Sequence, residues 1–228
     1  MNQNSLNHIA FILDGNKRWA KKNNVNQIQG YNKGFENIKT IINYSLKNKI
    51  KYLTLFALSS ENFDRPSVKI LYDIIYTKFS ILIDDLIKSK KVKVKIFGSR
   101  ENLPEKIIKI FNQAEELSLN NNALNLNIAF NYGFKNEIKE VLKKFKDNID
   151  NINLNRKSEI NNLFYLGDLN DPDILIRTGG HKRLSNFIMF NLTYTELFFT
   201  ETLWPEFNIN ELEIIINQYL KIERKYGL

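Results

Sequence analysis

The chain is expected to fold as an α/β protein with a mostly parallel central sheet flanked by helices. Three observations predict this. Short apolar runs alternate along the chain with segments whose apolar residues fall at helical spacing. The runs are nearly continuous in apolar residues, as strands covered on both faces are. Polar, glycine-containing segments follow the runs directly, where open parallel sheets bind their ligands.

In chain order, residues 8–13 suit a short buried strand. Residues 31–49 carry Phe35, Ile38, Ile41, Ile42 and Leu46 at helical spacing. Residues 52–58 read as the next strand, and residues 68–88 as a long apolar helix containing Ile70, Leu71, Ile74, Ile75, Phe79, Leu82, Ile83 and Leu86. Residues 92–97 form a strand ended by Gly98, and residues 104–119 a helix with Pro104 near its first turn. A strand at 124–130 and a helix at 135–145 follow. Residues 174–177 and 187–190 read as further strands, and residues 209–226 as a closing amphipathic helix. The Asn-rich, charged residues 146–162 form a surface connection within one domain of residues 1–228.

Composition narrows the function. With 43% hydrophobic residues the chain has ample material for a core. The absence of Cys excludes disulfides, thiolate chemistry and Cys-based zinc sites, and two His exclude a His-rich metal centre. The N-terminus is polar and lacks the apolar core of a secretory signal, and no long apolar run is present, so the cytoplasm is the expected compartment. The net charge of +8 points to anionic partners. Asn, Ile and Lys make up 89 of the 228 residues, a skew of the kind AT-rich coding produces, so the Lys count is discounted. The seven Arg are more informative by where they fall.

Four of those seven, Arg18, Arg65, Arg177 and Arg183, lie in segments that follow expected strands. The segments are Asp14-Gly15-Asn16-Lys17-Arg18-Trp19, Ser59 to Pro66, and Arg177-Thr178-Gly179-Gly180 continuing to Arg183-Leu184-Ser185-Asn186. A guanidinium is a fork matched to phosphate oxygens, so this clustering predicts a polyphosphate site. Asp14 suits a Mg²⁺ ligand, with Gly15 and Asn16 turning N–H groups toward a phosphate; an N-cap role is the alternative. The Asp84-Asp85 pair reads as a solvated helix face. Trp19 and Phe63 suit either core packing or an apolar wall for an organic tail. His8 reads as structural, and Glu196 as a lone acid before an apolar strand. A basic nucleic-acid-binding protein is the competing class. The aromatics, however, lie within the phosphate loops, and no recognition motif is present.

Taken in order, these segments, with Asn131-Tyr132-Gly133 and Glu196-Leu197-x-Phe199, resemble the cis-prenyltransferases from His8 to Gly227. The resemblance implies a single isoprenyl transferase domain that condenses isopentenyl diphosphate repeatedly onto an allylic diphosphate, typically farnesyl diphosphate. The product would be a poly-cis-prenyl diphosphate such as undecaprenyl diphosphate, precursor of a carrier lipid for cell-wall polysaccharide; a shorter product is the alternative. The resemblance assigns Asp14 to Mg²⁺ and to catalysis, Asn62 to removal of the isopentenyl proton, and Glu196 to a second metal-site carboxylate. It carries substrate binding to Gly15, Asn16, Lys17, Arg18, Trp19, Gln27 and Tyr31. A second group is Ser59, Ser60, Glu61, Phe63 and Arg65, and a third is Arg177, Arg183, Leu184 and Ser185. It also implies an apolar tunnel between the helices at 35–46 and 68–88, narrowed by Phe35 and Phe130. A homodimer with residues 187–199 near its interface and peripheral membrane contact for product release follow as well. The chain departs from the family pattern at Gln27 for Arg, Tyr31 for His, His181-Lys182 for an acid-His pair, Lys69 for Glu, Phe134-Lys135 for Gly-Arg and Lys225-Tyr226-Gly227 for Arg-x-Gly.

Overall fold

The computed structural model describes residues 5–148 and 152–223. Six strands form one sheet: β1 (His8–Ile12), β2 (Tyr52–Ser59), β3 (Val92–Phe97), β4 (Leu124–Tyr132), β5 (Ile174–Arg177) and β6 (Glu196–Phe199). Their order is β3-β4-β2-β1-β5-β6, and every pairing is parallel. The expected parallel α/β architecture is therefore present. β1 lies between β2 and β5, and the chain fills the sheet on either side of it. The carboxyl end of β1 is thus a topological switch point, where such sheets bind ligands.

Among the described residues eight α-helices accompany the sheet: α1 (Asn16–Lys22), α2 (Gln27–Lys47), α3 (Val68–Ile74), α4 (Ser80–Ser89), α5 (Glu105–Leu117), α6 (Phe134–Asp147), α7 (Lys157–Asn161) and α8 (Ile209–Leu220). Alternation along each strand sends residues to two cores. Ile9 and Phe11 join the larger core under α2 to α5 and α8, whereas Ala10 and Ile12 join a smaller one with Phe187 and Ile188. A buried polar chain crosses the sheet itself. His8 Nε2 lies 2.7 Å from Thr54 Oγ1, which accepts a hydrogen bond from Asn127 Nδ2, and His8 Nδ1 lies 2.7 Å from the Asn170 carbonyl. Burial lowers the His8 pKa to about 4.

Where element boundaries differ from expectation, local chemistry accounts for it. α2 begins four residues early because Asn26 and Gln29 form a reciprocal capping box. The long apolar helix is interrupted by a π-helical turn, Ile75–Phe79. There Thr77 and Ser80 hydroxyls donate to the carbonyls of Asp73 and Tyr76, competing with the α-helical ladder. α1 is an additional helix, beyond those expected from apolar spacing, and it follows the Asp14-Gly15 turn directly. The strand expected at 187–190 is absent. Phe187 and Ile188 are fully buried in the smaller core, and a 3-10 turn, Met189–Asn191, follows. The edge of β5 that such a strand would need is taken by β6. The closing helix ends at Leu220, and the part expected at 224–226 lies outside the described residues, as does Lys225-Tyr226-Gly227. The expected connection 146–162 contains α7, and its residues 149–151 also lie outside.

Candidate active site

β1 leads into Asp14 at the switch point. Thr178, which follows β5, fixes the Asp14 backbone: its Oγ1 accepts from Asp14 N at 3.1 Å and donates to the Asp14 carbonyl at 2.8 Å. Trp204 N–H donates to the same carbonyl at 3.0 Å. Gly15 then turns the chain into α1 with φ +127°, and a Cβ there would stand 2.9 Å from Leu203 Cβ. Both the dihedral and the space require glycine.

The Asp14 carboxylate lies between two guanidiniums. Arg18 Nη2 is 3.0 Å from Oδ1, and Arg177 Nη2 is 3.0 Å from Oδ2. Arg177 is only 4% exposed. Its Nη1 donates to Ser185 Oγ at 2.7 Å and also to the Arg183 carbonyl, while its Nε is buried without a partner.

These groups line a cavity of about 690 Å³. Its walls bring together Asp14, Gly15, Asn16, Lys17 and Arg18, the β2 segment with Ser59, Glu61, Asn62 and Arg65, Tyr31 from α2, and Arg177, Arg183 and Ser185. Lys17, Arg18, Arg65, Arg177 and Arg183 face only Asp14 and Glu61 as carboxylates, so the cavity is strongly cationic. Partial burial lowers the Lys17 pKa, and the charge of Arg65 lowers it further. Burial raises the Tyr31 pKa against the opposing effects of a Ser67 hydrogen bond and the Arg65 charge.

Beside this cavity is an apolar chamber of about 90 Å³ between α2, α3, α4, α5 and the sheet. Ala57 and Leu71 line both spaces. Phe35 and Phe130 line the chamber, with Phe79 and Phe111 completing an aromatic wall; the Phe111 and Phe130 centroids are 5.3 Å apart. The chamber occupies the place expected for a tunnel between those two helices.

Several expected site residues lie elsewhere. Trp19, Gln27, Ser60, Phe63 and Leu184 are not among the cavity-lining residues. Gln27 is exposed at the start of α2, Phe63 packs against the larger core, and Leu184 packs against the smaller one. Glu196 opens β6 beside Ile174, which itself pairs with Ile9 near the start of β1. Asp14 follows the other end of β1, so strand direction separates the two carboxylates, and within one chain Glu196 does not join Asp14 at a metal. Among the described residues no group of three His, Asp or Glu forms a metal cluster. A hard cation that shares a single carboxylate with diphosphate oxygens and water needs no such cluster, and Asp14 fits that mode.

The cavity also contains residues that sequence reasoning did not assign to substrate: Ser67, Leu71, His181 and Asn186. Asn186 lay within a quoted motif. Ser67 and Leu71 showed no signal beyond adjoining the Ser59–Pro66 segment and opening an apolar helix.

The family model described as "Putative undecaprenyl diphosphate synthase" matches residues 12–227. An isoprenyl transferase of Thermotoga maritima is 38% identical over 230 residues, covering 96% of this chain and 96% of the relative. A Buchnera aphidicola protein named ditrans,polycis-undecaprenyl-diphosphate synthase ((2E,6E)-farnesyl-diphosphate specific) is 35% identical, covering 96% of this chain and 90% of its own. Among solved structures, lavandulyl diphosphate synthase from Lavandula x intermedia in complex with dimethylallyl diphosphate superposes with a TM-score of 0.84 at 28% identity, covering 97% of this chain and 98% of its own. A cationic cavity at the switch point of a parallel sheet, adjoining an apolar chamber, agrees with these full-length matches: the chain belongs to the undecaprenyl diphosphate synthase family of isoprenyl transferases, the cis-prenyltransferases.

Proposed function

We propose that this cis-prenyltransferase elongates farnesyl diphosphate with successive isopentenyl diphosphates to a long poly-cis-prenyl diphosphate of the undecaprenyl class, a carrier-lipid precursor. The observation that carries this reading is the cationic cavity sharing Ala57 and Leu71 with an apolar chamber. One end of the allylic substrate is a polyanion and the other a hydrocarbon, and the two adjoining spaces match them.

Lys17, Arg18 and Arg65 bind the allylic diphosphate beside Asp14. Arg177, Arg183 and Ser185 bind the isopentenyl diphosphate. Breaking the allylic C–O bond places negative charge on the leaving diphosphate, and the guanidiniums and Lys17 stabilise it. Asp14 would hold the magnesium ion, which would supply further charge neutralisation for the leaving diphosphate. The new C–C bond leaves a cation on the isopentenyl unit, which loses a proton on the side of the cavity formed by Ser59 and Asn62. Asn is a weak base, so a water or a diphosphate oxygen aligned by Asn62 takes that proton. The apolar lining excludes water that would quench the cation.

A homodimer through the β6 edge completes the reading. Leu197 on β6 exposes apolar surface, as do Met189 and Tyr194 in the segment that precedes it. Incubation with farnesyl diphosphate, labelled isopentenyl diphosphate and Mg²⁺, followed by chromatography, tests the activity and reads the product length. Absence of elongation overturns the reading, and a short product restricts it to the shorter-chain class. Solution scattering reports the dimer.

A further inference from the structure

We propose that Asn186 is a positioning residue that sets the spacing between the two walls of the cavity on which prenyl transfer depends. The inference rests on the transferase reading of this cavity.

Asn186 makes three hydrogen bonds to two other segments. Its carbonyl accepts from Phe134 N–H at 2.8 Å, and its Oδ1 accepts from Lys135 N–H at 2.9 Å. Its Nδ2 donates to Glu61 Oε1 at 2.6 Å. The first two bonds cap α6, whose own N-cap residue, Gly133, supplies no side-chain cap. Because Oδ1 must face a backbone N–H, the amide orientation is set, and Nδ2 is committed to Glu61.

The geometry leaves little room to slip. Asn186 has φ +63°, a left-handed conformation that Asn tolerates better than most residues. A Cβ on Gly133 would stand 2.5 Å from Ser60 Oγ and 2.7 Å from Asn186 Nδ2, so glycine lets the three segments close together. This accounts for Gly133 in the Asn131-Tyr132-Gly133 motif, none of whose residues is among those lining the cavity.

The joint connects two functional walls. On one side, Ser185 precedes Asn186 and holds Arg177. On the other, Glu61 precedes Asn62 in the 3-10 turn Ser60–Asn62. Transfer joins a carbon of one substrate to a carbon of the other. A displacement of about 1 Å between the walls therefore acts on the reacting distance and costs on the order of 10²-fold in rate.

The test reverses the bond. Asn186→Asp keeps the acceptor for Lys135 but places a carboxylate against Glu61; adding Glu61→Gln restores a donor–acceptor pair in the opposite sense. Asn186→Asp is expected to lower kcat roughly 10- to 100-fold, with KM for both diphosphates within about threefold and the melting temperature nearly unchanged. In the Glu61→Gln background the same substitution is expected to cost less than about threefold in kcat relative to Glu61→Gln alone, whatever Glu61→Gln costs by itself. Wild-type kcat in Asn186→Asp overturns the proposal. So does a loss of the same size in the Glu61→Gln background, or one matched by a fall in melting temperature. A wild-type chain that elongates nothing overturns the transferase reading, and this proposal with it.

Discussion

Asp14 and Arg177 meet at 3.0 Å across the carboxyl ends of β1 and β5, the carboxylate 28% exposed and the guanidinium 4%. The pair joins the expected metal ligand to the expected isopentenyl diphosphate pocket, so a substitution at either residue tests structure and chemistry together.

Asp14→Asn removes the anion from between Arg18 and Arg177. Elongation is expected to fall on the order of 10²–10³-fold, the scale seen when a group that stabilises transition-state charge is lost. Arg177 is left a buried cation without its counter-charge. Because Asp14 is partly solvated, the stability loss is expected to be about 1–3 kcal/mol rather than the full cost of breaking a buried pair. Label incorporation and thermal melts measure the two effects, and wild-type incorporation would contradict the site assignment.

Arg177→Lys keeps the charge but loses the fork. The guanidinium reaches Asp14, Ser185 and the Arg183 carbonyl together, which one ammonium cannot do in that geometry. KM for isopentenyl diphosphate is expected to rise at least about tenfold, and KM for the allylic substrate much less. Steady-state kinetics with each substrate varied separates them; equal rises would place both diphosphates on Arg177.

Acid is expected to destabilise the fold through His8. Its pKa is lowered to about 4 in the folded protein from 6.5 in the unfolded chain. The unfolded state therefore binds the extra proton between those values. Stability is fully present above pH 6.5 and is lost as pH falls toward 4, by ~3 kcal/mol from this residue. Denaturant melts across that range measure it, and His8→Gln should flatten the slope. An equally steep profile in the variant would assign the effect elsewhere.

Phe130→Ala enlarges the apolar chamber beside Phe111. The product distribution is expected to shift to longer chains, at a stability cost of about 3–5 kcal/mol typical of Phe→Ala in a core. Chromatography of the products gives the answer. An unchanged distribution in a folded variant would remove Phe130 from control of chain length.

The parallel sheet was readable because its strands are nearly continuous apolar runs with chemical segments at their carboxyl ends. Arg18, Arg65, Arg177 and Arg183 stand out because Arg is scarce in this chain and each lies at or beyond the carboxyl end of a strand, and Asp14 because it comes just after β1. Residues 187–190 misled because an apolar run seated in a core looks like a strand until the sheet edge it would need is seen to be occupied. Glu196 was placed by motif alone, and the motif carries no strand direction; β6 puts it at the end of the sheet away from Asp14.

By itself, then, the sequence determined the fold class, the cationic residues and the segments that hold them, because periodicity and residue chemistry are local properties. Tertiary structure decided which of those residues meet. The Asp14 bridge between Arg18 and Arg177, the clamp of Asn186 on Glu61, and the adjoining of cavity and chamber at Ala57 and Leu71 all join residues from separate parts of the chain. Strand order and register set those distances, and no local pattern encodes them.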